Sequence, residues 1–160
     1  MQVDAQKEHH WLQKLVGEWT FETEAVMAPD KPPEKFQGSE RVRSLGEVWV
    51  LCEGQGEMPG GGTAKTLMTL GFDPAKKRFL GTFIGSMMTH MWLYDGGLDA
   101  AGKVLTLDTV GPSFDTEGKM IHYKDVIEFK SDDVRTLNSQ MQGDDGKWTG
   151  FMTATYRRKK

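Results

Sequence analysis

At residue 18 the spacing of apolar residues changes to a period of two, and this change constrains the fold more than any other feature. Trp19, Phe21 and Thr23 alternate with polar residues such as Glu22. Successive side chains of a strand point to opposite faces. The pattern therefore predicts a strand with one dry face and one wet face.

Clusters of glycine, proline and aspartate interrupt the rest of the chain about every 8–14 residues. Between them lie short segments rich in Val, Thr, Phe, Tyr and Trp, the residue types that favour strands. We predict ten strands, near residues 18–27, 36–45, 47–57, 64–73, 78–85, 89–98, 103–110, 119–130, 134–142 and 147–157. Pro29, Pro32 and Pro33 mark a loop near residues 28–35, after the first strand.

Regularly spaced short strands indicate a sandwich or a barrel, and short turns between antiparallel neighbours favour an up-and-down meander. Closing the meander removes its exposed edges. A chain of 160 residues and 18.0 kDa buries about 69% of its unfolded surface, which suits one core and one domain over residues 1–160. We predict an all-β fold, a single antiparallel barrel of about ten strands with room for a ligand in its lumen.

Residues 5–16 are predicted to form one helix before the first strand. Its apolar residues fall on one face at helical spacing, and they are Trp11, Leu12, Leu15 and Val16. Asp4 is the predicted N-cap, and Gly17 is predicted to end the helix because glycine readily adopts the left-handed conformation found there. We expect the apolar face to cap one end of the barrel.

Charge and cysteine content exclude several classes of protein. The 20 Lys and Arg residues nearly balance the 23 Asp and Glu residues, with a net charge of −3, so we expect no nucleic-acid partner. Cys52 is the only cysteine, which excludes an intrachain disulfide and a cysteine-rich zinc site. No window holds the roughly 18 apolar residues of a membrane helix, and the amino terminus shows no secretory signal. We therefore expect a cytoplasmic protein with no membrane partner.

Three motifs carry a resemblance to a known family. They are His9-x2-Leu12-x2-Leu15-x-Gly17-x-Trp19, the stretch Leu70-Gly71-Phe72-Asp73-Pro74 followed by Phe79-Leu80-Gly81-Thr82-Phe83, and Gly97-x-Leu-x3-Gly102-x-Val-Leu-Thr. Together they resemble a bacterial family of unknown function in the calycin superfamily, over residues 9–156. The resemblance implies a barrel related to lipocalins, fatty-acid-binding proteins and the haem-binding nitrobindins, with ligands held in the lumen. It carries over no catalytic residue, because that family has no established activity.

The strand near residue 90 supplies the first candidate ligand site. His90, Trp92 and Tyr94 share one face, while Met91 and Leu93 share the other. We predict that the first face lines the lumen, since an imidazole, an indole and a phenol suit a partly polar ligand. An aromatic stripe that faces solvent or packs in the core is the alternative. The apolar pair then needs cover, and we expect a homodimer if neither the helix nor a loop supplies it.

The strand near residue 50 supplies the second candidate. Trp49 and Glu53 share a face, and Arg43 or Arg41 on the preceding strand could pair with the Glu53 carboxylate. If this face lines the lumen, Trp49, Glu53 and Arg43 would bind the polar head of a ligand. A surface salt bridge between neighbouring strands is the alternative.

The predicted function is non-covalent binding of a small apolar or amphipathic molecule in the lumen, without a cofactor. One alternative is an enzyme, in which His90 forms an acid–base pair with Glu53 or Asp125. Asp125 shares the parity of apolar strand neighbours, which indicates either a polar site in the lumen or a strand-edge position. Two further alternatives are a barrel filled by its own side chains and a haem held by His90 or His122. The sequence contains no nucleophile-elbow motif and no convincing set of zinc ligands.

Overall fold

The computed structural model describes residues 2–26, 28, 30–58 and 60–160. One helix, α1 (Lys7–Gln13), precedes ten strands that close into a barrel. The strands are β1 (Gly17–Ala25), β2 (Glu34–Leu45), β3 (Trp49–Glu57), β4 (Thr63–Asp73), β5 (Arg78–Gly85), β6 (Trp92–Leu98), β7 (Val104–Pro112), β8 (Met120–Ser131), β9 (Val134–Gln142) and β10 (Trp148–Arg158). The predicted fold class, an antiparallel barrel of ten strands with an N-terminal helix, is confirmed.

Each strand pairs antiparallel with its neighbours in the chain, and β1 closes the barrel by pairing with β10. The ten predicted strands are all found, with bounds that differ by three residues or fewer. The largest difference is in β6, which begins at Trp92, so that His90 lies before the strand. The predicted end of the first strand at Met27 and the loop residue Pro29 lie outside the described residues.

Helix α1 is shorter than predicted, and the N-cap prediction is wrong. The N-cap is Gln6, not Asp4, and the Gln6 backbone N–H donates to His9 Nδ1 at 2.9 Å. After Gln13 the chain tightens into turns, in which the Leu15 N–H donates to the Leu12 carbonyl three residues back. The helix therefore makes up 4% of the chain, less than the predicted span of residues 5–16.

The helix closes one end of the barrel, here called the closed end, as predicted. Leu12 within the helix and Leu15 just after it are 0% and 1% exposed. The Trp11 indole N–H donates to the Gly102 carbonyl at 2.7 Å, which ties the helix to the connection between β6 and β7. Trp19 is fully buried there, and its indole N–H donates to the Leu15 carbonyl at 2.8 Å.

The opposite end of the barrel, here called the mouth, is formed by the connections after β1, β3, β5, β7 and β9. The predicted hairpin between β3 and β4 is present, and the three glycines 60–62 all have positive φ angles, of 81°, 102° and 87°. Glycine is needed there because other L-residues rarely adopt such angles. Within the described part of the chain, no helix is long and apolar enough to span a membrane.

Candidate functional site

The inner face of the barrel becomes more accessible from the closed end towards the mouth. On β4, Leu70 is 0% exposed, Met68 is 8% exposed, and Thr66 is only partly buried. These three side chains share the inner face because they have the same strand parity. On β4 the inner face is therefore partly accessible in the mouth half, whereas the inner residues Trp92 and Thr109 in the mouth half of β6 and β7 are buried.

The first candidate face points inward. Trp92 and Tyr94 are 8% and 5% exposed, whereas Met91 and Leu93 on the outer face are 54% and 64% exposed. His90 lies at the rim of the mouth, where its Nε2 is 3.3 Å from the Val110 carbonyl oxygen. The structure thus places Trp92 and Tyr94 in the lumen and His90 at its edge, and the role of all three in ligand binding stays a prediction.

The second candidate face points outward, so the predicted placement of Trp49, Glu53 and Arg43 in the lumen is wrong. Arg43 Nε and Glu53 Oε1 form an ion pair of 2.9 Å, with side chains 50% and 46% exposed. Trp49 is 42% exposed on the same outer wall. The inner positions of β3 belong to Val50 and Cys52, which are 0% and 4% exposed. The alternative, a surface salt bridge, is correct.

Asp125 on β8 lies in the lumen and forms the centre of a polar group that we call the Asp125 cluster. The Tyr94 hydroxyl on β6 donates to Asp125 Oδ2, and the Ser139 hydroxyl on β9 donates to Asp125 Oδ1 at 2.6 Å. Tyr94 and Ser139 are 5% and 6% exposed, while Asp125 keeps more accessible surface than either. The carboxylate therefore sits between two buried donors and faces the accessible part of the lumen.

Burial controls the acid–base behaviour of this cluster. Desolvation raises the pKa of Asp125 above its ordinary value, and the hydrogen bonds from Ser139 and Tyr94 offset part of the rise. Burial, and then the nearby Asp125 carboxylate, raise the pKa of the Tyr94 hydroxyl well above its ordinary range. Tyr94 consequently remains a hydrogen-bond donor, and one hydroxyl donor on each oxygen is an arrangement that suits an ionised carboxylate.

A second polar group, the Arg135 cluster, lies towards the closed end. Arg135 Nη2 on β9 pairs with Glu40 Oε1 on β2, and the two side chains are 4% and 11% exposed. The Arg135 guanidinium also lies 4.0 Å from the Tyr156 ring centroid and 4.6 Å from that of Trp19. Arg158 approaches the Trp19 ring as well, at 4.2 Å. The charge of Arg135 is therefore compensated within the protein.

Tyr156 connects the two clusters. Its phenol is buried, and burial is the main cause that raises its pKa above the ordinary range. The charges of Glu40 and Asp125 raise that pKa further, while Arg135 lowers it. Burial likewise raises the pKa of the Cys52 thiol above its usual range. Cys52 therefore remains a protonated thiol and packs as a small buried side chain.

Sequence reasoning overlooked Glu40, Arg135 and Ser139. The signal that could have found them is strand parity. Glu40 has the parity of Val42 on β2, and Arg135 and Ser139 have the parity of Leu137 on β9. A charged residue on the same strand face as core residues is costly to bury without a partner. Its position therefore indicates that a buried partner lies nearby.

Aromatic side chains line one side of the mouth. We call this group the mouth cluster, and it consists of His90, Trp92, Phe114, Tyr123 and Phe151. The Trp92 and Tyr123 ring centroids lie 5.1 Å apart at an interplanar angle of 88°. The Tyr123 hydroxyl donates to the Pro112 carbonyl at 2.6 Å. Phe114 is 66% exposed at the rim, so the cluster passes from the lumen to the surface.

Small residues line the wall on β2 and β3. Gly38, Gly54 and Gly56 occupy inner positions, and Phe21 on β1 lies against two of them. A Cβ atom on Gly38 would lie 2.3 Å from Phe21 Cζ and 2.4 Å from the Gln55 carbonyl oxygen. The mouth half of the lumen therefore combines a glycine wall with an aromatic wall.

The structure assembles neither of the acid–base pairs considered from the sequence. Glu53 points away from the lumen, and the hydrogen-bond partners of Asp125 are Tyr94 and Ser139, not His90. His122 is exposed on the outer face of β8, which is the wrong side for a haem in the lumen. Among the described residues, no group of three or more His, Cys, Asp or Glu side chains could hold a metal ion.

Two clefts lie outside the lumen. One of about 910 Å³ lies beside α1 at the closed end, where Lys7, Lys77 and Asp99 mix opposite charges. The other, of about 420 Å³, lies on the outer wall and is bordered by residues such as Arg41 and Glu53. The first also reaches buried aromatic side chains, and the second is bordered mainly by polar and charged residues.

Similar solved structures are barrels that cover nearly the whole chain. Rv2717c from M. tuberculosis is 13% identical, with a TM-score of 0.67, and the alignment covers 98% of this chain and 100% of that one. A de novo designed fluorescence-activating β-barrel is 11% identical, with a TM-score of 0.50 and coverage of 92% and 95%. EF1p2_mFAP2b bound to DFHBI is 16% identical, with a TM-score of 0.50 and coverage of 94% and 98%. These likenesses concern the fold alone.

Sequence comparison gives the family. No curated protein matches the chain. The model of one family, described as a protein of unknown function (DUF1579), matches residues 4–158. That span includes α1, all ten strands and both lumen clusters. The chain therefore belongs to the DUF1579 family of proteins of unknown function.

Proposed function

We propose that the protein binds a small amphipathic molecule non-covalently in the mouth half of the barrel lumen. The observation that carries the proposal is the Asp125 cluster, a buried polar group that keeps accessible surface beneath an aromatic mouth. A cavity with apolar walls and a few convergent polar groups is the usual form of a small-molecule site. The apolar part of the ligand packs against Trp92 and Tyr123, and its polar head reaches Asp125.

Two features support this assignment. One of the similar barrels, EF1p2_mFAP2b, is bound to DFHBI, so a barrel of this fold holds a small molecule. The resemblance to calycins and nitrobindins, which remains a prediction, also implies a ligand in the lumen. Burial of apolar ligand surface contributes about 25 cal/mol per Å² before the cost of association is subtracted.

A pair of tryptophan variants tests the proposal. The neutral fluorescent probe phenylnaphthylamine is titrated into wild type, Trp92→Ala and Trp49→Ala, because the first tryptophan lines the lumen and the second lies on the outer wall. We expect Trp92→Ala to weaken binding by about tenfold, equivalent to about 1.4 kcal/mol, and Trp49→Ala to leave it unchanged. Absence of binding by wild type, or equal losses in both variants, would refute lumen binding.

We also propose that a second copy of the chain covers the outer face of β6, as expected for a homodimer. Met91 and Leu93 are 54% and 64% exposed, and Ile84 and Val110 on the neighbouring strands are 41% and 43% exposed. Contiguous apolar surface of this kind commonly marks an interaction site. Sedimentation should give twice the chain mass for wild type and the monomer mass for Leu93→Lys.

A cytoplasmic location remains a prediction.

A further inference from the structure

Asp125, Arg135 and Glu40 are charged residues on the inner face of the barrel, and they differ in how far a ligand can reach them. Arg135 and Glu40 form an ion pair with side chains 4% and 11% exposed. Asp125 lies closer to the mouth and keeps more accessible surface than the hydroxyl residues around it. A molecule that enters through the mouth therefore meets Asp125 before it could meet Arg135.

The two clusters also differ in charge balance. The guanidinium of Arg135 is neutralised by Glu40 and faces the rings of Tyr156 and Trp19. Both hydrogen-bond partners of Asp125, Tyr94 and Ser139, are neutral hydroxyl groups. Among the described residues, none of the ion pairs includes Asp125. The charge that the lumen offers to a ligand is consequently negative.

The path from the mouth to Asp125 suits a cation for a second, independent reason. Trp92 and Tyr123 lie on the inner face between the mouth and Asp125, and the faces of aromatic rings attract ammonium groups. Thr109 lies on the inner face of β7 opposite Tyr123, and its buried hydroxyl has no hydrogen-bond partner among the described residues. This oxygen is therefore an acceptor without a donor on the inner face of the barrel.

We propose that the lumen selects a small organic cation, an amphipathic molecule with an ammonium head, and that Asp125 binds this head. The inference rests on the proposed function, because it names the ligand class of the same site. A fatty-acid carboxylate is disfavoured, since it would place a second negative charge beside Asp125 in a site that water screens poorly. A neutral alcohol can donate one hydrogen bond to Asp125, but it lacks the ionic attraction.

Three amphiphiles with the same chain length test the inference at neutral pH. Decylammonium, decanol and decanoate, each below its micellar concentration, compete with bound phenylnaphthylamine in the wild-type protein. We expect decylammonium to bind about tenfold or more tightly than decanoate, with decanol between them. Equal displacement by decylammonium and decanoate, or stronger displacement by decanoate, would overturn the inference. This measurement requires no variant, so a folding defect cannot obscure it.

A pair of charge-removing variants identifies the residue responsible. Asp125→Asn keeps the shape of the side chain and should bring the decylammonium to decanoate ratio close to one. Asp108→Asn removes the same charge from the outer face of β7, where the side chain is 53% exposed, and should keep the wild-type ratio. If Asp125→Asn retains the full preference, the site is not at Asp125. Failure of the probe itself to bind would instead count against the proposed function.

Discussion

The closed end and the mouth of this barrel both contain large apolar residues, but these residues are buried at the closed end and partly or largely exposed at the mouth. At the closed end Leu12, Leu70 and Trp19 are completely buried, and helix α1 covers them. At the mouth Phe114 is 66% exposed at the rim, and the inner-face residues Phe21 and Met152 are only partly buried. The closed half therefore resembles the core of any small domain, whereas the mouth half leaves apolar surface accessible. Accessible apolar surface inside a barrel contributes little to stability and is available to a ligand.

The two ends also differ in whether a buried charge has a counter-charge. Arg135, towards the closed end, is paired with Glu40 and packed against aromatic rings. Asp125, towards the mouth, has neutral hydrogen-bond partners. A compensated pair can be part of a stable core, but an uncompensated carboxylate is retained at a cost. Under the proposed function, the closed half supplies stability and the mouth half supplies the binding site.

The largest loss of stability is expected when the Trp19 side chain is removed. Trp19→Ala should lower the free energy of unfolding by about 3–5 kcal/mol, because the indole fills the closed end at 0% exposure. Phe114→Ala removes an aromatic ring from the mouth and should cost less than about 0.5 kcal/mol, as is usual for exposed positions. Urea unfolding measures both. A loss below about 1 kcal/mol for Trp19→Ala would show that the closed end is not the stable half.

The next largest loss of stability is expected when the buried ion pair is broken, and an exposed ion pair serves for comparison. Glu40→Gln leaves Arg135 buried without its counter-charge and should cost about 3 kcal/mol. Glu53→Gln breaks the outer-wall pair with Arg43, whose side chains are about half exposed, and should cost less than about 1 kcal/mol. Urea unfolding of the two variants checks the difference, and equal losses would contradict the assignment of Glu40 to the interior.

A smaller effect tests the glycine wall of the mouth half. Gly38→Ala would place a methyl group 2.4 Å from the Gln55 carbonyl oxygen and 2.3 Å from Phe21, and backbone cannot move aside easily. We expect a loss of about 1–3 kcal/mol. Gly150→Ala on β10 is the matched control, because its Cβ would meet no atom within 4 Å. Thermal unfolding should separate the two variants, and similar melting temperatures would show that the wall can yield.

The order of the strands could be predicted because each residue pattern that specifies them is local. Alternation, turn residues and spacing lie within single strands and hairpins, so all ten strands were found. The helix was predicted too long at both ends. At its C-terminal end the apolar spacing continues through residues 14–16, which form turns, and at its N-terminal end the cap is unusual. The Gln6 N–H donates to a His9 ring nitrogen, whereas the common N-cap types accept with a side-chain oxygen.

The site was harder to predict because it depends on strand parity and on barrel closure. On β3 both faces carry apolar residues, so alternation could not tell whether Leu51 or Val50 points inward, and a choice wrong by one residue reverses the whole strand. Arg135 and Glu40 are 95 residues apart and meet only because β10, β1 and β2 are adjacent in the closed barrel. No local pattern contains that contact.

The smallest expected effect concerns the pH dependence of stability, and it arises from Asp125. Burial raises the pKa of this carboxyl in the folded protein, so the folded state holds the proton more tightly than the unfolded state does. Between the ordinary pKa of an aspartate, about 3.9, and the raised one, the folded protein binds more protons. The contribution of Asp125 to the free energy of unfolding must therefore fall as the pH rises through this window.

Asp125→Asn removes that dependence and leaves the rest of the barrel unchanged. At a pH below the raised pKa the wild-type carboxyl is largely protonated. An amide and a carboxylic acid can both exchange hydrogen bonds with Tyr94 and Ser139, so the two proteins should agree there within about 1 kcal/mol. As the pH rises, wild type should lose stability relative to the variant, with no further change above the raised pKa. Urea unfolding at several pH values measures the difference. If wild type instead gains stability relative to Asp125→Asn, the carboxylate is compensated in the folded state, and the contrast between Arg135 and Asp125 does not hold. If the predicted fall is found, the residue proposed to bind the ligand is also one that the folded protein keeps ionised at a cost in stability.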